Sequence, residues 1–531
     1  MVRVCLPQPP HRQWANISRV ADLCLPTRRG GPCSALEKSP QQVEVSLPLD
    51  DLRNLGQDDV DDMVVYRRDT PTMAKLSALD LMSKEFATAA LSGGAAGDGA
   101  VPRVADDRNT SRGELRPAMD RFNTLARLTS QQEDELLLEA PHRDSFRSAM
   151  RLPVLIGQCF SLLPTSSKPD IVPRFRVASL RVLYSALVTL GLFCNAILSI
   201  VYVVRHRSEE NTLTASSSWV FYVSATTVSV LYLRLAVQWR GMCVVFRRVE
   251  HVMKSVGHPP RLRQRLHGVT ITVLSLALLE YSLAVMKGIF LMDLKKYKSL
   301  SEFLYDYFAG SYSHLLLLFP YSPMLLVVIQ ALNTAATFMW NYNDLFIMLT
   351  SIAIAQRFKL LNQKLHDSPR EEKTVTFWKR AREMYNSLAV LTREVDKILC
   401  VQILFSFMNN LYFICMQLLR TVKQDNNTST LQSLYFAYSF GFLVLRTAAV
   451  SLFAASINDE SKNVKKILYS VSSGSYCEEV DRFIMQATTD DIALTGLKFF
   501  SVTRSFLLTV AGTIATYEIV LVQFNGNKKV S

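Results

Sequence analysis

The sequence predicts an all-α membrane protein of seven transmembrane helices, with its N-terminus inside and its C-terminus outside. Three observations carry this. Hydrophobic residues make up 49% of a 531-residue chain that is also 20% charged, so the apolar residues must be segregated into blocks. Seven such blocks approach the ~20 apolar residues that a bilayer requires: 182–204, 219–237, 269–291, 315–339, 398–419, 434–455 and 499–524. Positive charge then alternates between the connecting segments, and positive loops stay inside.

Residues 1–145 differ from the rest, with an acidic cluster at Asp58, Asp59, Asp61 and Asp62 and a run from Ser92 to Gly99 rich in Gly and Ala. This composition predicts a largely disordered cytoplasmic extension, either a regulatory tail or a mis-assigned start of the coding sequence. Short helices are conceivable at Leu76–Leu91 and Arg116–Leu138. Met1 to Gly30 lacks an apolar core, so the first span is expected to act as the insertion signal. Domain two is 146–531. It opens on Arg147 to Leu163, where basic and apolar residues alternate as in a segment lying along the inner membrane face.

Between spans two and three lie Arg240, Arg247, Arg248, Lys254, Arg261, Arg263 and Arg265, and after span four Arg357, Lys359, Lys364, Arg370, Lys373, Lys379, Arg380 and Arg382; both segments are expected inside. The loops after spans one, three and five carry fewer positive residues and are expected outside. Overlapping glycosylation acceptors at Asn426 and Asn427 fall in one of these outer loops, whereas those at Asn16 and Asn109 fall inside and are expected to go unused. Span four continues to Ile354 with only scattered polar residues, longer than a bilayer needs, and is expected to project inward as one helix. Phe377–Leu399 repeats apolar residues at helical spacing and leads into span five; together with Val480–Leu497 it is a candidate cytoplasmic collar.

The net charge of +13 lies in loops rather than among exposed aromatics, which speaks against a nucleic-acid partner. The sequence contains no HExxH, P-loop or GxSxG, its eight His show no ligand spacing, and its nine Cys form no CxxC pair. An enzyme, a bound metal and a cofactor are therefore not expected.

Several motifs occur in order: Gln158-Cys159-Phe160; Phe319-Pro320-Tyr321-Ser322; Phe338 to Ile347 with Trp340, Asn343 and Asp344; Asp481-Arg482-Phe483 through Gln486; and Thr516-Tyr517-Glu518 followed by Gln523-Phe524. Over about residues 145–531 the chain resembles the insect gustatory receptors, and the Glu after Tyr517 resembles their sugar-receptor branch. The resemblance implies an insect chemoreceptor-like ligand-gated channel: a homo- or hetero-tetramer with related subunits in the plasma membrane of chemosensory neurons. A sugar held within each subunit opens a central pore to cations. The last helix lines that pore, with Gln523 and Phe524 at the constriction.

Residue chemistry is compatible with this. Ser505, Thr509, Thr513, Thr516 and Gln523 recur along one stripe of the last span, a pattern that fits either a wet pore or close helix packing. Tyr517 is a structural candidate. Glu518 lies off the stripe and, buried in a membrane, calls for pairing or a ligand; Arg234, Arg446 and Lys287 are the cationic candidates. Sugars stack on aromatic rings and bond planar polar groups. The candidates for that role are Glu280 and Tyr281 in span three, Asp306, Tyr307, Tyr312 and His314 at the outer mouth, Tyr321, Gln330 and Asn333 in span four, and Tyr412 and Gln417 in span five. Trp340, Asn343 and Asp344 lie deeper, as structural or coupling positions.

Two other machines were weighed. A G-protein-coupled receptor shares only the helix count, since the last span has no NPxxY and the basic loops lie on the opposite side. A transporter calls for repeated halves with broken helices, and no internal repeat is visible.

Overall fold

A computed structural model of the chain describes residues 131–528, apart from 139–141, 166–172, 174, 206–208, 291, 293–296, 370–372 and 424–429. All of these belong to the compact unit Asp107–Ser531. The acidic cluster, the Gly/Ala run, the Leu76–Leu91 helix and all four glycosylation acceptors lie outside the described residues.

A short helix at 131–138, α1, packs Leu137 into the core. It is followed by α2 (Phe146–Ala149) and α3 (Arg151–Cys159). Then come α4 (Leu180–Arg205, span one), α5 (Glu209–Val252, span two) and α6 (Leu262–Phe290, span three). An outer helix α7 (Leu300–Ser311) precedes α8 (Pro323–Asp367, span four), α9 (Val375–Lys423, span five) and α10 (Thr430–Tyr469, span six). A last inner helix α11 (Glu478–Thr489) and a two-strand hairpin, β1 (Thr495–Gly496) with β2 (Phe500–Ser501), lead into α12 (Arg504–Lys528, span seven). Among the described residues six helices are long and apolar enough to cross a membrane, and α12, at 25 residues, occupies the place of the seventh.

Helix α8 is the centre, packing on α5, α6, α9 and α10. Its 45 residues span about 67 Å at 1.5 Å each, well beyond a hydrocarbon core, so it projects inward as the sequence predicts. Its start differs from the prediction. The apolar run from Leu315 is not yet span four: Leu315–Leu317 makes one 3-10 turn, and the helix begins at Pro323 behind Ser322. Proline is tolerated there because the first helical N–H has no partner in any case.

The last span also starts later than its hydropathy suggests. Phe500 and Ser501 pair with Gly496 and Thr495 in the hairpin, whose turn puts Leu497 and Lys498 at φ of 49° and 61°. Two side-chain effects divert this apolar segment. Asp396 on α9 accepts from the Thr495 N–H at 2.6 Å and from its hydroxyl at 2.9 Å. Gly496 leaves room for the Phe500 ring, which would lie 2.4 Å from a Cβ at that position.

The segment expected to lie along the membrane face buries Ala149, Met150, Val154, Leu162 and Leu163 against the bundle and leaves Arg151, Leu155 and Cys159 exposed. Phe146 is buried and its ring stacks on Phe246 at 3.6 Å. Its N–H donates to Glu250 Oε1 at 2.8 Å, and Arg357 from α8 meets the same oxygen at 2.6 Å. The α1 acids meet the basic face of α5, with Asp134 2.8 Å from Arg240 and Glu133 3.1 Å from Arg248. At the inner end Trp378, Tyr385 and Val395 of α9 are buried, and Tyr385 packs edge-on against Phe358 of α8 and Phe483 of α11. The collar segments thus come together within one chain.

At Gly157 helix α3 crosses α8 so closely that a Cβ would sit 2.7 Å from the Tyr342 hydroxyl, which donates to the Pro153 carbonyl at 2.9 Å. Gly157→Ala is expected to cost about 1–3 kcal/mol through this overpacking. A thermal-unfolding series on detergent-purified protein checks it, with Gly241→Ala, which meets nothing within 4 Å, as the neutral control.

Candidate functional site

Where α5, α6, α8, α9 and α10 approach α7, they enclose a cavity of about 390 Å³. Helical spacing builds its walls. Gln330, Asn333, Thr337 and Trp340 recur at three- and four-residue steps and so share one face of α8; Phe413, Met416, Gln417 and Arg420 do the same on α9. Helix α6 adds Glu280 and Tyr281, α10 adds Tyr435 and Ser439, and α5 adds Phe221 and Tyr222. The lid side carries Tyr307, Tyr312 and His314.

Of the eleven candidate ligand residues named from the sequence, eight line this cavity: Glu280, Tyr281, Tyr307, Tyr312, His314, Gln330, Asn333 and Gln417. Three do not. Tyr412 lies one position off the α9 stripe and packs edge-on beside Phe413 at 5.2 Å. Asp306, next to Tyr307, and the third candidate, Tyr321, instead border a separate shallow outer hollow with Tyr305. Trp340, assigned to structure or coupling, lines the cavity as well. Its membership was readable, since it stands ten residues, close to three turns, after Gln330. Tyr222, Phe413, Tyr435 and Ser439 were missed because an aromatic or a serine in an apolar span reads first as packing.

A chain of hydrogen bonds stiffens one wall: the Tyr312 hydroxyl donates to Gln330 Oε1 at 2.7 Å, Gln330 Nε2 donates to the Tyr281 hydroxyl at 2.6 Å, and that hydroxyl lies 2.7 Å from Thr334 Oγ1. Opposite, Ser439 donates to Glu280 Oε1 at 2.6 Å and accepts from Gln417 Nε2 at 3.3 Å. The mouth is cationic. Arg420 donates to Ser217 at 2.6 Å, and the Lys287 ammonium stands 4.9 Å from the Tyr435 ring centre. Two buried polar atoms of this lining, Gln417 Oε1 and His314 Nε2, have no hydrogen-bond partner among the described residues. Buried groups of this kind are costly unless something completes them. Burial pushes the His314 imidazole down to about 4, so the ring is neutral at ordinary pH. Among the described residues no cluster of His, Cys, Asp or Glu could hold a metal ion.

Beneath the cavity lies a fully buried ion pair. Arg446 Nε of α10 is 2.9 Å from Asp344 Oδ2 of α8. Asp344 also accepts from Ser406 and from Asn410 Nδ2 of α9, the latter at 2.9 Å. Arg446 donates to Asn341 and, at 3.1 Å, to Asn410 Oδ1. Its guanidinium is 4.4 Å from the Trp340 ring centre, and the Trp340 indole donates to Asn410 at 3.2 Å. Asn343 Nδ2 lies 3.5 Å from the Gln402 carbonyl. Arg446 is thus committed to Asp344 rather than to Glu518, and Lys287 to the cavity mouth; Glu518 and Arg234 are both exposed.

Along α12, only Phe506, Leu507, Val510 and Ile514 are half-buried between Ser505 and Val520; the other side chains of that stretch are exposed. Thr509, Thr513 and Thr516 each donate back to the carbonyl four residues earlier at 2.9–3.1 Å. Tyr517 and Gln523 are exposed, and the Phe524 side chain lies outside the described residues.

A family model described as "Trehalose receptor" matches residues 121–531. The chain is 33% identical over 396 residues to "Gustatory receptor 5a for trehalose" of Drosophila melanogaster, covering 73% of this chain and 87% of that one. It is 30% identical over 407 residues to "Gustatory receptor for sugar taste 64f" of the same species, covering 76% and 85%. Among solved structures it is similar to the insect olfactory receptor OR5 from Machilis hrabei, at 14% identity and a TM-score of 0.54 over 71% of this chain and 97% of that one, a likeness of fold.

Removing one member of the buried pair, as in Asp344→Ala, leaves an uncompensated charge and is expected to cost about 3–5 kcal/mol, whereas the double change Asp344→Leu with Arg446→Met restores most of it. Surface abundance and unfolding temperature of the single and double variants measure the difference.

Proposed function

The chain belongs to the insect gustatory receptor family, in its sugar-receptor branch, and from that premise we propose that it is a sugar-gated, non-selective cation channel subunit of chemosensory plasma membranes. The multi-pass helical fold is the frame for this. One observation supports the ligand class above all: a cavity walled by Tyr and Trp rings in which Gln417 Oε1 and His314 Nε2 await partners. Sugar hydroxyls donate to such atoms while C–H faces rest on the rings. Trehalose is the first sugar to try, given the names carried by the family model and one relative.

For conduction, the support is the exposed surface of α12 with its stripe of Thr509, Thr513 and Thr516. Four copies, alike or from related subunits, gather with these helices around an axis, and Gln523 and Phe524 form the constriction. Sugar shifts the closed–open equilibrium by its differential affinity for the open state. The polar chain from Tyr312 through Gln330 to Tyr281, and the Trp340–Arg446–Asp344 stack below, join the cavity to the helices that support α12.

Whole-cell recording during application of a sugar panel, with related subunits co-expressed, tests the reading. Gln417→Leu and Gln330→Leu should each raise the half-maximal sugar concentration about tenfold, the worth of a ~1.4 kcal/mol contact, while Tyr412→Phe, outside the cavity, leaves it unchanged. Equal responses from all three variants, or surface-expressed protein without any sugar-evoked current, contradict the reading. Gln523→Ala should alter leak or conductance without moving the sugar concentration dependence as far.

Because the His314 imidazole is held neutral by burial, with its value lowered to about 4, charging it is opposed in the folded state and no His314 titration falls between pH 5 and 8. The pH profile of the sugar response should therefore be the same in wild type and His314→Asn over that range; an inflection near pH 6.5 that disappears in the variant contradicts this.

A further inference from the structure

A second cavity, of about 210 Å³, lies on the other side of Tyr281, between the lead-in helix α3 and spans three and four. Its character is opposite to that of the first. Ile156, Phe160, Leu274, Ala277 and Phe338 give it an apolar lining, and the Phe160 and Phe338 rings stack at 3.7 Å to form one end. It meets polar groups at four residues, each connected to the machinery already described; one of them, Thr334, has its hydroxyl 2.7 Å from that of Tyr281. Tyr281 and Thr337 line both cavities. Asn341, also in the lining, is the residue whose amide oxygen accepts from Arg446.

The pocket opens outward beside Leu278, which is 65% exposed and continuous with Ile271 and Leu279 on the outer surface of span three. These exposed residues belong to a membrane-spanning helix, so what meets them is hydrocarbon, and an apolar space larger than the ~150 Å³ that holds a benzene does not attract water. We propose that one acyl chain of a bilayer lipid enters beside Leu278 and occupies this pocket as a resident ligand. A tail lying there presses on the back of the Tyr281 ring, whose hydroxyl is fixed by Gln330 and Thr334, and reaches toward Asn341. It thereby fills the space into which that wall of the polar cavity would otherwise relax, and the lipid tail and the cavity's own ligand bear on the same residue from opposite sides.

Full-length protein in phosphatidylcholine vesicles carrying a photoreactive diazirine in mid-chain provides the test, read by mass spectrometry of the adducts. Ala277 and Asn341 are 8% and 1% exposed, so adducts on them require a chain inside the pocket. Adducts confined to Leu278, Leu279 and Ile271 overturn the proposal. Ala277→Trp fills the space and should abolish the internal adducts while leaving those on Leu279; Leu274→Phe, a milder filling, should reduce them. Internal labelling that survives both substitutions also overturns it. These readouts need no sugar response and stand or fall apart from the proposed function. Where sugar-evoked current is present, Ala277→Trp should in addition move the half-maximal sugar concentration about fivefold, the lower range of couplings between two sites.

Discussion

The buried pair of Asp344 and Arg446 is the constraint on which the rest of the bundle rests. Two charges in an apolar interior are tolerated only when each finds the other and the remaining donors and acceptors are met. Here three helices supply partners at once: Asp344 and Asn341 from span four, Ser406 and Asn410 from span five, Arg446 from span six. Unlike a greasy interface, such a cluster has one geometry that works, so it fixes the rotation of each helix about its own axis. Trp340, resting on the guanidinium and bonded to Asn410, carries that geometry upward to the base of the polar cavity.

Much of this was legible before any coordinates. The apolar blocks gave the spans because the bilayer's thickness leaves little choice of length, and the inward run of α8 followed from an apolar pattern that outlasts the membrane. Eight of eleven candidate residues converged on one cavity because chemistry and position agree: planar polar groups in the outer halves of spans have few structural uses. Tyr412 and Asp306 failed by one residue each, the step that turns a side chain through about 100° on a helix. That rotation is set by tertiary packing and is invisible to a composition argument.

The other differences have local causes. Hydropathy could not see that Phe499 to Ser501 belong to a turn, because the decision is made by Asp396, about a hundred residues earlier in the chain, and by the missing side chain of Gly496. Nor could charge counting show that Arg240, Arg247 and Arg248 do more than orient the protein. The first and last meet carboxylates of α1, and Arg247 Nε donates to the Leu136 carbonyl at 3.3 Å, so the basic face of span two holds the residues that precede the first helix pair.

The last helix presents its threonines outward with every observed hydroxyl proton already spent on the carbonyl one turn back. At those three threonines the helix therefore offers lipid no unsatisfied hydroxyl donor. The same oxygens keep lone pairs free, so in the proposed assembly around a common axis they are ready to accept from water. A surface of this kind is compatible both with oil and with the aqueous channel proposed above.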